Sequence, residues 1–187
     1  MMAQIVKRGN FKGIPYTVVF RPVKYARLEF LTGELRIILP YGMGVKEILK
    51  RKERWIRKKY QMIQNSLVEA ENLPIENRSR RELKELVVQY IEEAERSFGV
   101  KVRKVQIRRM RTKWGSCSSR GTVTINSLAR FLPDEIVRYL VFHEVNHLKF
   151  WRHDRFFWKS LERFFENPEK MEDVLLSYWF RIGSKSF

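Results

Sequence analysis

Short apolar stretches separated by turn residues fill the first forty residues. Short strands are expected around residues 4–7, 16–21, 27–31 and 34–39. Gly9-Asn10, Gly13-Ile14-Pro15 and Thr32-Gly33 supply turn chemistry between them, the last suited to a tight hairpin. From Val45 to about Ala70 the period changes to that of a helix. Ile48, Ile56, Tyr60, Ile63 and Leu67 line one side, and Lys46, Lys50, Arg51, Lys52, Arg54, Arg57, Lys58 and Lys59 cover the others. Residues 72–79, with Pro74, read as a linker. A second helix is expected from Arg80 to Phe98, ending before Gly99.

Strands follow at about 102–110, 112–117 and 122–126, with residues 118–121 as a turn. Pro133, Asp134 and Glu135 open a further helix and place acid at its positive end. That helix is apolar on nearly every side: Ile136, Val137, Tyr139, Leu140, Val141, Phe142, Val145 and Leu148. A helix with no polar face is a buried one. An amphipathic segment at about 170–180 ends the pattern. The elements describe an α+β protein, with residues 1–71 forming a small β appendage plus a basic helix and residues 72–187 the main domain.

The buried helix also carries the chain's chemistry. All three histidines, His143, His147 and His153, fall within eleven residues. Positions i and i+4 share one helix face, so His143 and His147 can aim at a common point. Glu144 beside them completes an H-E-x-x-H motif, the pattern of a zinc ion with a glutamate base. Polar groups on such a helix are costly to bury without partners, and a cation supplies one. In an unbroken helix His153 would lie about 240° round and about 9 Å along from His147, away from the metal. The chain must therefore turn between Leu148 and Arg152. Asp154 can cap a new helix striped by Phe157, Leu161 and Phe164, which would hold His153 at its mouth. Glu162 and Glu166 are the carboxylate alternatives for a third ligand, but both read as exposed helix residues beside Arg163 and Lys159. A single Cys117 argues against a closed structural zinc site and against any intrachain disulfide, in keeping with a cytoplasmic protein.

His143-Glu144-x-x-His147-Leu148, Arg152-His153-Asp154 and Phe157-Trp158, with the upstream Lys113-Trp114-Gly115-Ser116-Cys117, resemble the YgjP-like zinc metallopeptidases. Residues 35–40 and Trp55-Ile56 with the basic run after them resemble the same family. The resemblance implies a zincin-like fold, His143, His147 and His153 as zinc ligands, and Glu144 as catalytic base. It also places residues 113–117 near the site, where Trp114 would either wall a substrate cleft or pack in the core. The ligand spacing is similar, more distantly, to SprT-like proteases and to metzincins, although Phe150 stands where the metzincin pattern has glycine. The function implied is hydrolysis of peptide or protein substrates by zinc-activated water.

Charge supplies the second reading. The net charge is +17, and residues 96–133 hold ten Lys or Arg and no acid. Such density would attract nucleic acid. The alternative function is therefore a nucleic-acid-associated protein with a structural or vestigial metal site, or a SprT-like protease acting on nucleic-acid-bound proteins. No run of eighteen apolar residues predicts a membrane span, and residues 1–7 lack the apolar core of a secretory leader.

Overall fold

The computed structural model describes residues 6–31 and 34–183. The chain divides into two compact units, Met1–Val68 and Glu69–Phe187. The α+β class read from the sequence is the class observed.

In the first unit, β1 (Val6–Phe11), β2 (Ile14–Phe20), β3 (Arg27–Leu31) and β4 (Glu34–Leu39) form a sheet in the order β1-β2-β4-β3. β2 and β4 run parallel, and the other pairs are antiparallel. β1 does not turn at Gly9-Asn10 as expected but runs through it to Phe11. Gly9 pairs with Tyr16, and a methyl group there would stand 2.5 Å from the tyrosine ring, so this glycine makes room rather than a bend. The chain reverses instead at Lys12-Gly13, both with positive φ, while Asn10 Oδ1 accepts the Gly13 N–H at 2.8 Å. Part of the expected first strand and the Thr32-Gly33 turn lie outside the described residues.

The single helix expected over 45–70 is interrupted. α1 (Val45–Arg51) ends at Lys52, whose φ of −103° departs from helical values, and α2 (Glu53–Ala70) follows. Ile48, Leu49 and Ile56 pack with Ile14, Val18, Leu35, Ile37 and Leu39 of the sheet, leaving the cations outward.

The second unit is built round a buried helix. α3 (Arg80–Phe98) starts in a capping box between Ser79 and Glu82 and ends at left-handed Gly99. Its stripe of Leu83, Val87, Ile91, Ala94 and Phe98 is buried. β5 (Lys104–Arg108), β6 (Gly115–Cys117) and β7 (Thr122–Asn126) form a sheet in the order β5-β7-β6. β5 and β6 are both shorter than expected. At the lost end of β6, Asn126 Nδ2 donates to the Met110 and Lys113 carbonyls at 2.9 and 2.8 Å, holding residues 110–113 as a loop. A short 3₁₀ turn (Ser127–Phe131) leads to α4 (Asp134–Asn146), then α5 (Arg155–Leu161) and α6 (Pro168–Gly183). The expected linker is tied down: Glu76 and Arg78 donate to the carbonyls of Phe131 and Arg130 at 3.0 and 3.3 Å, and the Arg78 guanidinium reaches Asp134. α4 is the centre of this core. Val137, Tyr139, Val141, Phe142 and Val145 are wholly buried among α3, the sheet, α5 and α6.

Candidate metal centre

The C-terminal end of α4 sets the first two histidines. His143 is within the helix, and His147 follows its last residue with φ −63° and ψ −18°, so both keep one face. The Leu148 and Lys149 N–H groups turn back onto Val145 and Asn146, which stops the helix. The chain re-enters regular structure at Asp154, whose carboxylate accepts the N–H groups of Phe156 and Phe157 at 2.9 and 3.2 Å. Asn146 joins the two helices from inside. Its amide donates to the Phe157 carbonyl at 3.1 Å and its oxygen accepts the Ser160 hydroxyl at 2.8 Å.

This turn returns His153 to the other two. The Nε2 atoms of His143 and His153 are 3.0 Å apart, and one nitrogen from each of the three rings lies within 4.8 Å of the others. The ring of Phe157 sits against all three imidazoles, with centroids 4.5–5.0 Å away. Trp158 stacks on His153 at 27° and donates its indole N–H to the His153 carbonyl at 3.2 Å. His147 Nδ1 is 3.1 Å from the Phe150 carbonyl, which fixes the proton there and leaves Nε2 as a donor of electrons. Burial, reinforced by neighbouring His143, depresses the His147 pKa to about 4 and lowers that of His153. Both rings are neutral at pH 7, the form that binds metal.

Glu144 projects toward β6 and is 6% exposed. Burial, opposed by His143, raises its pKa to about 7, with Glu172 adding to the rise and Lys113 opposing it. The Cys117 N–H donates to its carboxylate. A Cβ at position 115 would stand 2.5 Å from Glu144 Oε1 and 2.6 Å from its Cγ. The absence of a side chain at Gly115 is therefore what lets the carboxylate lie against β6. That gives the Lys113-Trp114-Gly115-Ser116-Cys117 motif a local task that spacing alone did not disclose.

Of the two places weighed for Trp114, it occupies the core. It is 8% exposed, donates its N–H to the Leu175 carbonyl at 2.8 Å and meets Trp179 edge to face. Glu162 and Glu166 are exposed and outside the histidine cluster. Glu172 of α6 was not anticipated at all. Its Oε1 lies 2.9 Å from His143 Nδ1.

Residues 69–178 match the sequence profile of the YgjP-like metallopeptidase domain, more than half of the chain. The chain belongs to the YgjP-like family. It is a metallopeptidase, and the match covers the unit that holds the histidines while residues 1–68 lie outside it. Two solved structures resemble this YgjP-like chain. The metallopeptidase zymogen abylysin of Pyrococcus abyssi is 28% identical over 49% of this chain and 92% of its own, with a TM-score of 0.45. The zymogen jannalysin of Methanocaldococcus jannaschii is 21% identical over 48% and 93%, with a TM-score of 0.44. No curated protein matches the chain significantly. No described helix is long and apolar enough to cross a membrane.

The donor set fits a tetrahedral metal. Two nitrogens each about 2.0–2.1 Å from one zinc would be roughly 3.3–3.4 Å apart. The 3.0 Å between His143 and His153 Nε2 is close to that, and one nitrogen of His147 lies within 4.8 Å of theirs.

Proposed function

We propose that this metallopeptidase is zinc-dependent, with His143, His147 and His153 as ligands and Glu144 as general base. The observation that carries the reading is the convergence of three imidazole nitrogens beside the buried carboxylate of Glu144. Three imidazoles with no thiolate suit a catalytic zinc with an open position. When bound, zinc supplies Lewis-acid chemistry, making water acidic near neutral pH and polarising a carbonyl.

The chain's own residues handle the proton. Glu144 accepts it from the attacking water and returns it to the leaving amine. The Cys117 N–H and the bare Cα of Gly115 hold that carboxylate in place. The residues that carry this chemistry all lie in the unit Glu69–Phe187.

The nucleic-acid reading finds no specific support. In the acid-free segment Lys101 pairs with Glu95 at 2.7 Å, and Arg130 lies over the Phe131 ring. The deciding experiment is a peptide-library digest with zinc, with chelator, and with Glu144→Gln. Cleavage in the first condition only is expected. Cleavage that survives chelation, or survives in the variant, would refute the mechanism.

A further inference from the structure

His143 is the most buried of the three histidines and is held on both sides. Its Nε2 faces His153, and its Nδ1 faces Glu172 Oε1 across 2.9 Å. The N–H of Nδ1 is not aligned on that oxygen and has no other partner, so the contact is at present electrostatic. A small turn of ring or carboxylate would convert it to a hydrogen bond. The carboxylate is fixed in turn. Tyr139, one turn before His143 on α4 and wholly buried, has its hydroxyl 2.6 Å from Glu172 Oε1 and 2.8 Å from the Pro168 carbonyl at the start of α6. The tyrosine ring also lies edge-on to His143 at 6.0 Å.

We propose that Glu172, fixed by Tyr139, is a positioning residue for the metal centre. It holds the His143 proton on Nδ1 and so turns the Nε2 lone pair toward His147 and His153. The proposal rests on the zinc reading above. An imidazole offers two nitrogens on divergent sides, and a carboxylate at one of them selects both tautomer and ring orientation. Since Glu172 meets the Nδ1 side, it cannot share a metal with Nε2 of the same ring. α6 is thereby part of the site, through one side chain nearly thirty residues from the motif.

The test uses the full chain, stripped of metal and titrated with Zn²⁺ against a chromophoric chelator. The proteins compared are native, Glu172→Ala, the space-filling Glu172→Leu, Glu172→Gln, Tyr139→Phe and the exposed control Glu166→Ala. Circular dichroism establishes which variants are folded, and either Ala or Leu suffices. Expected is a 10–100-fold loss of zinc affinity without the carboxylate. Glu172→Gln should recover part of it, because the amide oxygen still accepts the Nδ1 proton. Tyr139→Phe should show a smaller loss and the control none. With Co²⁺ in place of zinc, the visible band of Glu172→Ala or Glu172→Leu should keep the native shape, since the ligands are unchanged. Folded Ala or Leu variants within twofold of native affinity would overturn the proposal, and so would a changed cobalt band, which would make Glu172 a ligand. A native protein that binds no zinc would instead refute the function from which the proposal starts.

Discussion

Gly115→Ala adds one methyl group, and the structure says what it must displace. The new carbon would lie 2.5 Å from Oε1, 2.6 Å from Cγ and 2.8 Å from Cδ of Glu144, all well inside contact distance. Backbone strain is not involved, because Gly115 does not have a positive φ. Neither neighbour yields easily. Glu144 is 6% exposed and tethered by the Cys117 N–H. On the other side β6 is fastened to β7 by the pairing of Gly115 with Ile125, and the Asn126 N–H donates to the Trp114 carbonyl at 2.7 Å. Overpacking of this kind costs about 1–3 kcal/mol. The tether on the carboxylate is a single hydrogen bond, worth about 1.5–3 kcal/mol to a charged group, whereas moving β6 breaks several. The carboxylate therefore moves.

A general base moved off its geometry forfeits much of its contribution of about 10²–10⁴ in rate, and a displacement near 1 Å can cost about 10². The expected result is a fall in kcat of about 10²-fold or more on a cleavable peptide. KM should change little, and zinc content should stay at the native level because no ligand is touched. Melting should drop modestly, by the overpacking cost. Ser116→Ala, in the same strand, should keep native kcat. A folded Gly115→Ala enzyme with native kcat would refute the steric argument, and one that had lost zinc would show that β6 supports ligands rather than the base.

Four further outcomes are expected. Glu144→Gln should abolish hydrolysis yet retain zinc. In metal-free protein, the native stability relative to this variant should decline between pH 4.5 and 7, because a buried acid with raised pKa favours folding only while protonated. At about 1.4 kcal/mol per pH unit the decline is on the order of 3 kcal/mol, and a flat difference in melting would contradict the raised pKa. His153→Ala should lower zinc affinity sharply in a titration, while Glu162→Ala and Glu166→Ala should not, and the reverse order would make the third ligand a carboxylate. Asp154→Ala removes the cap of α5 at about 0.5–2 kcal/mol and should weaken zinc binding through His153. Unchanged affinity would mean that the loop before it fixes the ring. Burial, with Glu144 beside it, pushes the Cys117 thiol up to about 11, so iodoacetamide at pH 8 should label it far more slowly than in urea. Equal rates would refute that.

What the sequence disclosed about this site was whatever depends on short spacing. The i, i+4 histidines need only helical geometry, and the return of His153 follows from the misfit of six residues with a helix turn together with a capping aspartate. α4 could be recognised as central because it has no polar face. The strands of the first unit were visible too, but Gly9 was misread as a turn. A glycine opposite a tyrosine and a glycine at a bend look alike in one dimension, and only the pairing of Gly9 with Tyr16 separates them. The break at Lys52 was likewise hidden, since the apolar stripe continues across it.

Gly115 and Glu172 show why the remainder stayed hidden. Each acts on a motif residue through space, Gly115 from β6 onto Glu144 and Glu172 from α6 onto His143. Nothing in their own surroundings marks them: Gly115 lies in an ordinary strand, and Glu172 is one of several acids near the start of an amphipathic helix. Their roles come from how sheet and helices pack around α4, which brings β6 to one end of the motif and α6 to its back. The pairing of His143 with His147 could be read in advance because a helix alone fixes their spacing. The parts that aim and support them could not, because packing alone determines where those parts meet α4. A metal-binding sequence placed on a helix without β6 and α6 would keep its ligands but not the alignment of His143 and Glu144, and alignment within about 0.5 Å separates a metal-binding helix from a peptidase.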